Sequence, residues 1–248
     1  MQATWYDAEF IGQKVESPTT NRFWFKIHSD TPLSYTAGQF LTFDIPVSEK
    51  RLDRWKSYSI ANKSDGSNII ELGVSHKKGG LASSYLFETI NKGDKIKCKG
   101  PEGNFVLPST VKKKIIMLAT GAGVVPFRCM LQEISEKGND YEEIHLIFGT
   151  RKEKDILYYE ELEDWAHFIP NFKCSVCLSK ETKLPKAKNK INFYLGRIHQ
   201  VYLNEYKSKN EDCLFMICGW TEMIDEAVLH LTQELKLKRE QIKFELFG

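Results

Sequence analysis

The sequence predicts two domains: an N-terminal antiparallel β-barrel followed by a C-terminal α/β domain built on a parallel sheet. Its 248 residues suit one large domain or two modest ones. From Ala3 to about Leu107, short runs rich in aromatic and β-branched residues alternate with turn residues, which is typical of antiparallel strands. After Pro108 the pattern changes to strands that alternate with helices, which predicts a parallel sheet covered by helices on both faces. We therefore expect one domain at residues 1–109 and the other at residues 110–248.

The N-terminal part contains a series of short predicted strands and a single predicted helix at residues 81–90. Gly-Asp, Asp-Gly and Gly-Pro pairs separate the runs, and such pairs mark turns. Closing the strands into a barrel removes the exposed edges that an open sheet would leave. The predicted strands cover residues 22–28, 39–45, 56–61, 68–75 and 94–99.

The C-terminal part reads as strands and helices in turn. The lysine-rich stretch at residues 180–190 interrupts this order and is predicted to be a loop. The predicted strands cover residues 114–119, 144–150, 172–179, 214–218 and 241–247, and the predicted helices cover residues 126–137, 158–168, 197–206 and 222–235.

The composition excludes several classes of protein. Hydrophobic residues at 42% and charged residues at 27% are ordinary for a soluble globular protein. No apolar run approaches the ~18 residues needed to cross a bilayer, and the N-terminus lacks the pattern of a secretory signal. We therefore expect a cytoplasmic protein without a membrane span. A formal net charge of +2 gives no electrostatic reason to expect nucleic acid as a partner.

The cysteines do not indicate a disulfide framework or a metal site. The chain has 6 cysteines, too few for a disulfide scaffold of this length. Cys174 and Cys177 lie on one predicted strand, and because side chains alternate along a strand, the two thiols point to opposite faces. The cysteine spacings of iron–sulfur clusters and a His-Glu-x-x-His zinc motif are absent from the sequence. Redox chemistry in this chain would therefore need an organic cofactor, and no metal is expected.

A glycine-rich turn follows the first strand of the C-terminal part. Thr120, Gly121, Gly123 and Pro126 form a Thr-Gly-x-Gly-x-x-Pro sequence between a predicted strand and a predicted helix. Glycines let the backbone approach a pyrophosphate, the amides of a helix start bind its charge, and proline fits a first helical turn. A plain strand-to-helix turn is the alternative interpretation.

A second group of residues in the N-terminal part has the chemistry to bind a ring and a phosphate. In the run from Lys56 to Ser59, Tyr58 can stack on a flat ring, and the Ser59 hydroxyl can bind a ring nitrogen. Further along, Gly79 and Gly80 precede a predicted helix whose start can hold a phosphate. A strand followed by a capped helix explains the same residues without a ligand.

Taken in order, these motifs resemble those of the ferredoxin–NADP reductase superfamily, and the likeness covers nearly the whole chain. Residues 56–59 are similar to the Arg-x-Tyr-Ser/Thr flavin motif of that family, with lysine in place of arginine. Residues 79–86 are similar to its Gly-Gly-x-x-Ser-x-x-Leu segment, and residues 100–105 to its Gly-Pro-x-Gly-x-Phe turn. The Gly-x-Gly-x-x-Pro turn at residues 121–126 and the pair Cys218-Gly219 complete the set.

This resemblance implies a barrel that binds FAD, with FMN as the less favoured alternative, beside a domain that binds NAD(P)H. The family transfers a hydride from the nicotinamide to the flavin and passes electrons to a separate acceptor, such as ferredoxin or flavodoxin. Two alternatives stay open. The first is a reductase component of an oxygenase, or a reductase of a small acceptor such as free flavin, a quinone or a ferric chelate. The second is a non-enzymatic nucleotide-sensing module.

The resemblance also assigns roles on the flavin side. Tyr58 would stack on the isoalloxazine, and Ser59 would hydrogen-bond near N5. Lys56 would stand where the arginine of the family contacts the flavin pyrophosphate, and Ser83 would bind that phosphate from the helix start. Lysine cannot offer the planar two-pronged donor of a guanidinium, and Arg54, two residues earlier on the same strand face, is expected to compensate.

On the nicotinamide side the resemblance assigns both the hydride site and the selectivity for the nucleotide. Cys218 would lie near the hydride path, and Glu245 and Phe247 would lie near the nicotinamide-facing side of the flavin. A second group favours NADPH over NADH, because its hydroxyl and basic side chains would hold the 2′-phosphate; exposed basic residues near a loop are the alternative interpretation. That group consists of Arg151, Ser179, Lys180 and Arg197.

Overall fold

The computed structural model describes residues 4–109, 113–185, 190–208 and 211–247. Its contacts divide the chain into two compact units. The first unit runs to Leu107 and also contains residues 125–132, and the second contains residues 108–124 and 133–248. Nothing in the sequence pattern indicates that residues 125–132 group with the first unit.

The first unit is built on a six-stranded antiparallel sheet in the order β4-β3-β6-β1-β2-β5. A bridge between Ile60 and Leu72 joins the end of β4 to β5, and the Ala61 amide donates to the Glu71 carbonyl at 2.8 Å. These bonds link the two ends of the sheet, which gives the barrel that the sequence predicted. The strands are β1 (Trp5–Ser17), β2 (Thr20–His28), β3 (Phe40–Asp44), β4 (Trp55–Ser59), β5 (Ile69–Ser75) and β6 (Lys95–Glu102).

The core of the first unit is rich in aromatic side chains. They occupy strand positions that face inward, because successive side chains of a strand point to opposite faces of the sheet. The rings of Phe25 and Phe43, on β2 and β3, lie 5.2 Å apart between centroids, and those of Phe10 and Phe25 lie 5.5 Å apart. All three side chains are buried. The unit also contains a short helix α1 (Arg51–Arg54) directly before β4.

The predicted helix at residues 81–90 is present but irregular. It begins as α2 (Leu81–Ser84) and continues as a single π-helical segment over Tyr85–Thr89. The Ile90 amide donates to the Tyr85 carbonyl, five residues earlier, at 3.0 Å. The start of the helix therefore agrees with the sequence prediction, whereas the wider winding of its second half does not follow from any sequence signal.

The second unit is built on a six-stranded parallel sheet in the order β10-β9-β8-β7-β11-β12, which confirms the predicted fold class. The strands are β7 (Lys114–Thr120), β8 (Glu143–Thr150), β9 (Phe172–Leu178), β10 (Ile191–Leu195), β11 (Cys213–Gly219) and β12 (Ile242–Leu246). The helices in the second half of the chain are α3 (Val125–Lys137), α4 (Tyr159–Phe168), α5 (His199–Tyr206) and α6 (Thr221–Gln233).

Strand β10 is the one element of this sheet that the sequence analysis missed. It begins at Ile191, directly after the lysine-rich stretch predicted as a loop, of which residues 186–189 lie outside the described residues. The strand has five residues and lies at the edge of the sheet, and its residues are mostly exposed or half-buried. A short edge strand without an inward apolar pattern carries little sequence signal.

The order of strands reverses beside β7. From β7 the chain adds β8, β9 and β10 on one side, and then β11 and β12 on the other. In open parallel sheets, ligands bind in the crevice that such a reversal leaves outside the carboxyl ends of the strands. The carboxyl ends of β7 and β11 are therefore the place in this unit where a ligand site is expected.

Cys174 and Cys177 lie on β9 and are fully buried, as predicted for strand residues. Burial raises the pKa of the Cys177 thiol to about 12. Within the described residues, no group of three or more histidine, cysteine or acidic side chains has the arrangement to hold a metal ion. No helix within those ranges combines the length and the apolar surface needed to cross a bilayer.

Candidate functional site

Tyr58 occupies the edge strand β4 of the barrel. Its half-buried ring packs against the core, with its centroid 6.0 Å from that of Phe43 in an edge-to-face arrangement. Burial raises the pKa of the phenol well above its usual range, so the hydroxyl is neutral at physiological pH. Ser59, the next residue, is buried. The strand therefore holds a partly exposed aromatic ring in a fixed position, as stacking on a flat ligand requires.

The two cations predicted to contact a phosphate beside this strand are both engaged within the protein. Lys56 donates from Nζ to the carbonyl oxygen of Leu52 at 2.7 Å. Arg54 binds both carboxylate oxygens of Asp44, at 2.7 and 2.8 Å. The expectation that Arg54 shares a strand face with Lys56 is wrong, because Arg54 is the last residue of helix α1. Either cation would have to exchange its present partner to bind a phosphate.

The glycine pair before α2 forms a tight turn held together by Ser83. The Ser83 hydroxyl accepts from the Lys77 amide at 3.1 Å and has the carbonyls of Lys77 and Gly80 as acceptors at 3.2 and 3.1 Å. Gly79 has a left-handed φ of 76°, and a Cβ atom there would project into open space. Ser83 therefore stabilises the turn, and a phosphate at this place would meet main-chain amides before it met the buried hydroxyl.

The strand segment that follows Ser59 is pinned by the first turns of α3, a contact that the sequence analysis missed. Buried Arg128 donates from Nη1 to the Ala61 carbonyl at 2.8 Å and lies 3.1 Å from Oε1 of Glu71. Arg22 binds the same carboxylate through two bonds, at 2.6 and 2.8 Å. One buried carboxylate thus bridges two guanidinium groups and fixes the chain directly after the Tyr58-Ser59 pair.

The two glycines of the Gly-x-Gly-x-x-Pro turn have different structural roles. Gly121 has a left-handed φ of 53° and is half-buried, and a Cβ atom there would lie 3.8 Å from Nε1 of Trp220, an ordinary van der Waals distance. Gly123 is buried, and a Cβ atom there would lie 2.1 Å from the carbonyl oxygen of Cys218. Gly123 therefore lets the turn approach strand β11, whereas among the described residues no backbone atom of another element lies within 4 Å of the Cβ position on Gly121. Pro126 lies in the first turn of α3, as predicted.

Thr120 ends strand β7 with a hydroxyl that lacks a partner. Its Oγ1 is buried and has no hydrogen-bond partner within the described part of the chain. A Cβ atom on Gly219 would lie 2.3 Å from this oxygen, which places it between the ends of β7 and β11. Leaving a buried hydroxyl unpaired costs about 1–3 kcal/mol. A ligand that hydrogen-bonds to Thr120 in this crevice would remove that cost, so the residues fit a bound nucleotide.

Four predicted residues meet at the carboxyl ends of β11 and β12. Cys218 pairs in register with Glu245, and the Phe247 amide donates to the Gly219 carbonyl at 3.0 Å. The Cys218 side chain is fully buried, and burial, followed by the nearby charge of Glu245, raises the pKa of its thiol well above the usual range. The thiol is therefore neutral, and its predicted role on the hydride path remains a prediction.

The residues predicted to hold a 2′-phosphate also lie together, at the carboxyl ends of β8, β9 and β10. The Lys180 amide donates to the Arg151 carbonyl at 2.9 Å, and the Ser179 hydroxyl donates to the Thr150 carbonyl at 3.2 Å. Arg197 follows Gly196, whose amide donates to the Leu178 carbonyl at 3.0 Å. Arg151, Lys180 and Arg197 are exposed, so three cationic side chains surround this edge of the sheet.

Trp220 is a second residue of this region that the sequence analysis missed. It follows Cys218-Gly219 directly, precedes α6, and is 54% exposed. Its Nε1 lies 3.8 Å from the position that a Cβ atom on Gly121 would take. The sequence signal that could have identified Trp220 is its position as a large aromatic residue immediately after the Cys-Gly pair.

The chain matches two protein-family models in succession. Residues 7–107 match the model described as an oxidoreductase FAD-binding domain, and residues 117–228 match the model described as an oxidoreductase NAD-binding domain. The first match coincides with the barrel strands, and the second begins within β7 and ends within α6. Together they assign a cofactor class to each of the two units.

Curated relatives are similar over most of the chain. Ferredoxin--NADP reductase B of Sorangium cellulosum is 25% identical over 248 residues, which are 100% of this chain and 99% of that protein. The toluate 1,2-dioxygenase electron transfer component of Pseudomonas putida is 30% identical over 194 residues, which are 78% of this chain and 56% of that protein. The phenol hydroxylase P5 protein of Acinetobacter pittii is 26% identical, over 95% of this chain and 64% of that protein. The chain thus spans less than two thirds of the last two relatives.

Solved structures share the fold. A cytochrome P450 reductase from Amycolatopsis superposes with a TM-score of 0.83 at 22% identity, over 99% of this chain and 70% of that one. A ferredoxin NADP+ reductase from Neisseria gonorrhoeae, with bound FAD and NADP, superposes with a TM-score of 0.78 at 21% identity, over 99% of each chain.

Proposed function

Because this chain belongs to the ferredoxin–NADP reductase superfamily of flavin-dependent oxidoreductases, we propose that it oxidises NAD(P)H, transfers the hydride to FAD and passes the electrons to a separate acceptor. The observation that carries this proposal is the crevice at the carboxyl ends of β7 and β11. There Gly121, the unpaired Thr120 hydroxyl and the pair Cys218-Gly219 lie together at the point where the strand order reverses.

In the proposed flavin site, the barrel supplies a stacking surface and a phosphate turn. Tyr58 offers its partly exposed ring to the isoalloxazine, and Ser59 offers a hydroxyl near N5. The turn at Gly79 and Gly80 offers its backbone to the pyrophosphate, with Ser83 fixing its shape. When bound, FAD supplies the ability to accept a hydride and release electrons one at a time. FAD is preferred to FMN because residues 7–107 match the model of an oxidoreductase FAD-binding domain.

On the nucleotide side, we propose that Gly121 and the main chain of its turn face the pyrophosphate of the nicotinamide nucleotide. Cys218 and Glu245, paired across β11 and β12, would border the nicotinamide and orient it through a neutral thiol and a carboxylate. Both side chains would act by shape and hydrogen bonding, because the hydride itself passes between the two cofactors.

We propose NADPH rather than NADH as the preferred reductant. The three exposed cations at the ends of β8, β9 and β10, with the Ser179 hydroxyl between them, suit a dianionic 2′-phosphate. Within the described ranges, Arg197 alone of the three forms an ion pair, at 3.6 Å from Glu226, and its side chain is 71% exposed. The group is thus free to rearrange around a phosphate.

The acceptor is proposed to be a separate electron carrier such as ferredoxin or flavodoxin. The names of two relatives favour a second candidate, a reductase that serves an oxygenase, since one is a dioxygenase electron transfer component and another belongs to a phenol hydroxylase. We also propose a cytoplasmic location, which agrees with six buried cysteines that are all free thiols.

The acceptor test measures NADPH oxidation by the FAD-loaded protein, with cytochrome c as the final electron sink. The proposal expects slow reduction of cytochrome c that rises strongly when ferredoxin or flavodoxin is added. A rise only with an oxygenase component would favour the second candidate. NADPH oxidation that no acceptor stimulates, with flavin bound, would contradict both.

A further inference from the structure

Trp220 is an exposed aromatic side chain at the reversal point of the parallel sheet. It is 54% exposed, although its main chain continues directly from the fully buried end of β11. Its backbone is extended, with φ −70° and ψ 148°, and helix α6 begins at the next residue. Within the described ranges the indole makes no ring contact and no hydrogen bond, so its N–H group is available to a ligand.

The indole nitrogen of Trp220 lies close to the glycine turn, where it can donate a hydrogen bond. Among the described residues other than Gly121 and its neighbours along the chain, the Trp220 Nε1 atom is the atom within 4 Å of the Cβ position on Gly121, at 3.8 Å. The Nε1 atom is therefore the described part of the ring nearest to the Cβ position on Gly121. Indole Nε1 is a donor and cannot accept a hydrogen bond. A group bound above Gly121 would thus meet a donor that is suited to an anionic oxygen.

The turn needs such a donor because it has no free cation of its own. From Met117 to Phe127 the sequence contains no basic residue, and the first one after the turn is Arg128. The guanidinium of Arg128 is 4% exposed and is engaged with Glu71 and the Ala61 carbonyl. The donors that the turn itself offers to a pyrophosphate above Gly121 are therefore neutral main-chain amides, and the Trp220 indole lies beside them.

We propose that Trp220 is a positioning residue that donates its indole N–H to the pyrophosphate of the nicotinamide nucleotide. This inference rests on the proposed function, since it assumes that the nucleotide binds at the turn. It carries a specific consequence. The pyrophosphate is common to NADP and NAD, so Trp220 must contribute equally to the binding of both nucleotides. The cationic group at the 2′-phosphate would contribute to the binding of NADP alone.

The test is equilibrium binding of the oxidised nucleotides, which needs no turnover. Calorimetry with the FAD-loaded protein would compare the wild type, Trp220→Phe and the matched control Trp24→Phe, which changes a tryptophan on the barrel strand β2. Trp220→Phe keeps an aromatic ring and removes the donor. We expect Trp220→Phe to raise the dissociation constants of NADP+ and NAD+ by the same factor of about ten. The fragment 2′-AMP, which lacks a pyrophosphate, should bind the variant as it binds the wild type.

Three outcomes would overturn the inference. Equal binding of both dinucleotides by Trp220→Phe and the wild type would show that the indole makes no such bond. A loss confined to NADP+ would place the indole at the 2′-phosphate instead. Failure of the wild type to bind either dinucleotide would contradict the proposed function itself, whereas the first two outcomes concern Trp220 alone. A thermal unfolding curve for each variant shows that the fold is retained.

Discussion

A Cβ atom on Gly123 would lie 2.1 Å from the carbonyl oxygen of Cys218, which is closer than any non-bonded contact between these atoms allows. The turn after β7 and the end of β11 are therefore in direct backbone contact. This contact places the glycine turn beside the Cys218-Gly219 pair, where the nucleotide is proposed to bind. The glycine at position 123 is thus required by the packing of the protein, and Gly121 is the glycine of this turn that we propose faces the nucleotide.

Replacing Gly123 with valine should destabilise the second unit instead of only weakening nucleotide binding. The added side chain would force the turn away from β11, and overpacking of this kind costs about 1–3 kcal/mol or more. Urea unfolding measures the change. Gly12→Ala is the matched control, because a Cβ atom on Gly12 has no atom within 4 Å. Equal unfolding midpoints for the two variants would contradict the close contact.

Replacing Tyr58 with alanine should weaken FAD binding while the fold is kept. Loss of ring stacking costs about 0.5–1.5 kcal/mol of binding free energy, in addition to the free energy of the buried surface that is lost. The stacking contribution alone corresponds to a rise of roughly twofold to tenfold in the dissociation constant. Titration of the apoprotein with FAD, followed by flavin fluorescence, measures the dissociation constant of FAD. Tyr58→Phe keeps the ring and should bind FAD nearly as the wild type does. Unchanged FAD affinity in Tyr58→Ala would remove Tyr58 from the flavin site.

Replacing Lys180 with alanine should raise the KM for NADPH and leave that for NADH unchanged. A charge-assisted bond to the 2′-phosphate would be lost, with an effect of roughly fivefold to tenfold. Steady-state kinetics with both nucleotides gives the comparison, and Lys154→Ala, an exposed lysine of the same unit, is the control. A preference for NADH in the wild type, or equal effects on both nucleotides, would reject the 2′-phosphate site.

The stability of the second unit should fall on acidification because His145 is buried in its neutral form. Burial, followed by the charge of Lys173, lowers the pKa of His145 from 6.5 to about 3. Its ring nitrogens lie 2.7 Å from the Tyr206 hydroxyl and 2.8 Å from that of Ser175. Between pH 6.5 and 3 the unfolded chain binds a proton that the folded chain does not. The stabilisation is thus fully present above pH 6.5 and is lost progressively below it.

The comparison with His145→Gln isolates this contribution, since glutamine offers hydrogen bonds without titrating. Lowering the pH from 7 to 5 should reduce the free energy of unfolding of the wild type by about 2 kcal/mol more than that of the variant. Urea unfolding at the two pH values gives both numbers. Parallel pH dependence in the two proteins would show that His145 does not titrate on unfolding in this range.

The predictability of the fold and of the site differed for physical reasons. Periodicity and turn residues predicted most strands of both sheets, because buried strands such as β8 and β11 carry continuous apolar sequence. The edge strand β10 lacks that signal. Strand β1 of the barrel was not among the predicted strands. The motifs predicted the residues that gather at the carboxyl edge of the parallel sheet. They could not reveal that Gly123, unlike Gly121, packs closely against the main chain of Cys218. They also could not reveal that Arg54 binds Asp44. Both features depend on tertiary contacts.

The most direct test of the central claim is anaerobic mixing of the FAD-loaded protein with NADPH in a stopped-flow spectrophotometer. The absorption bands of the flavin report its reduction, independently of any acceptor. If this chain transfers a hydride from the nicotinamide to its flavin, the flavin bands should bleach in a phase whose rate saturates with NADPH concentration. Bound flavin whose absorption is unchanged by saturating NADPH and by saturating NADH would contradict the proposed function.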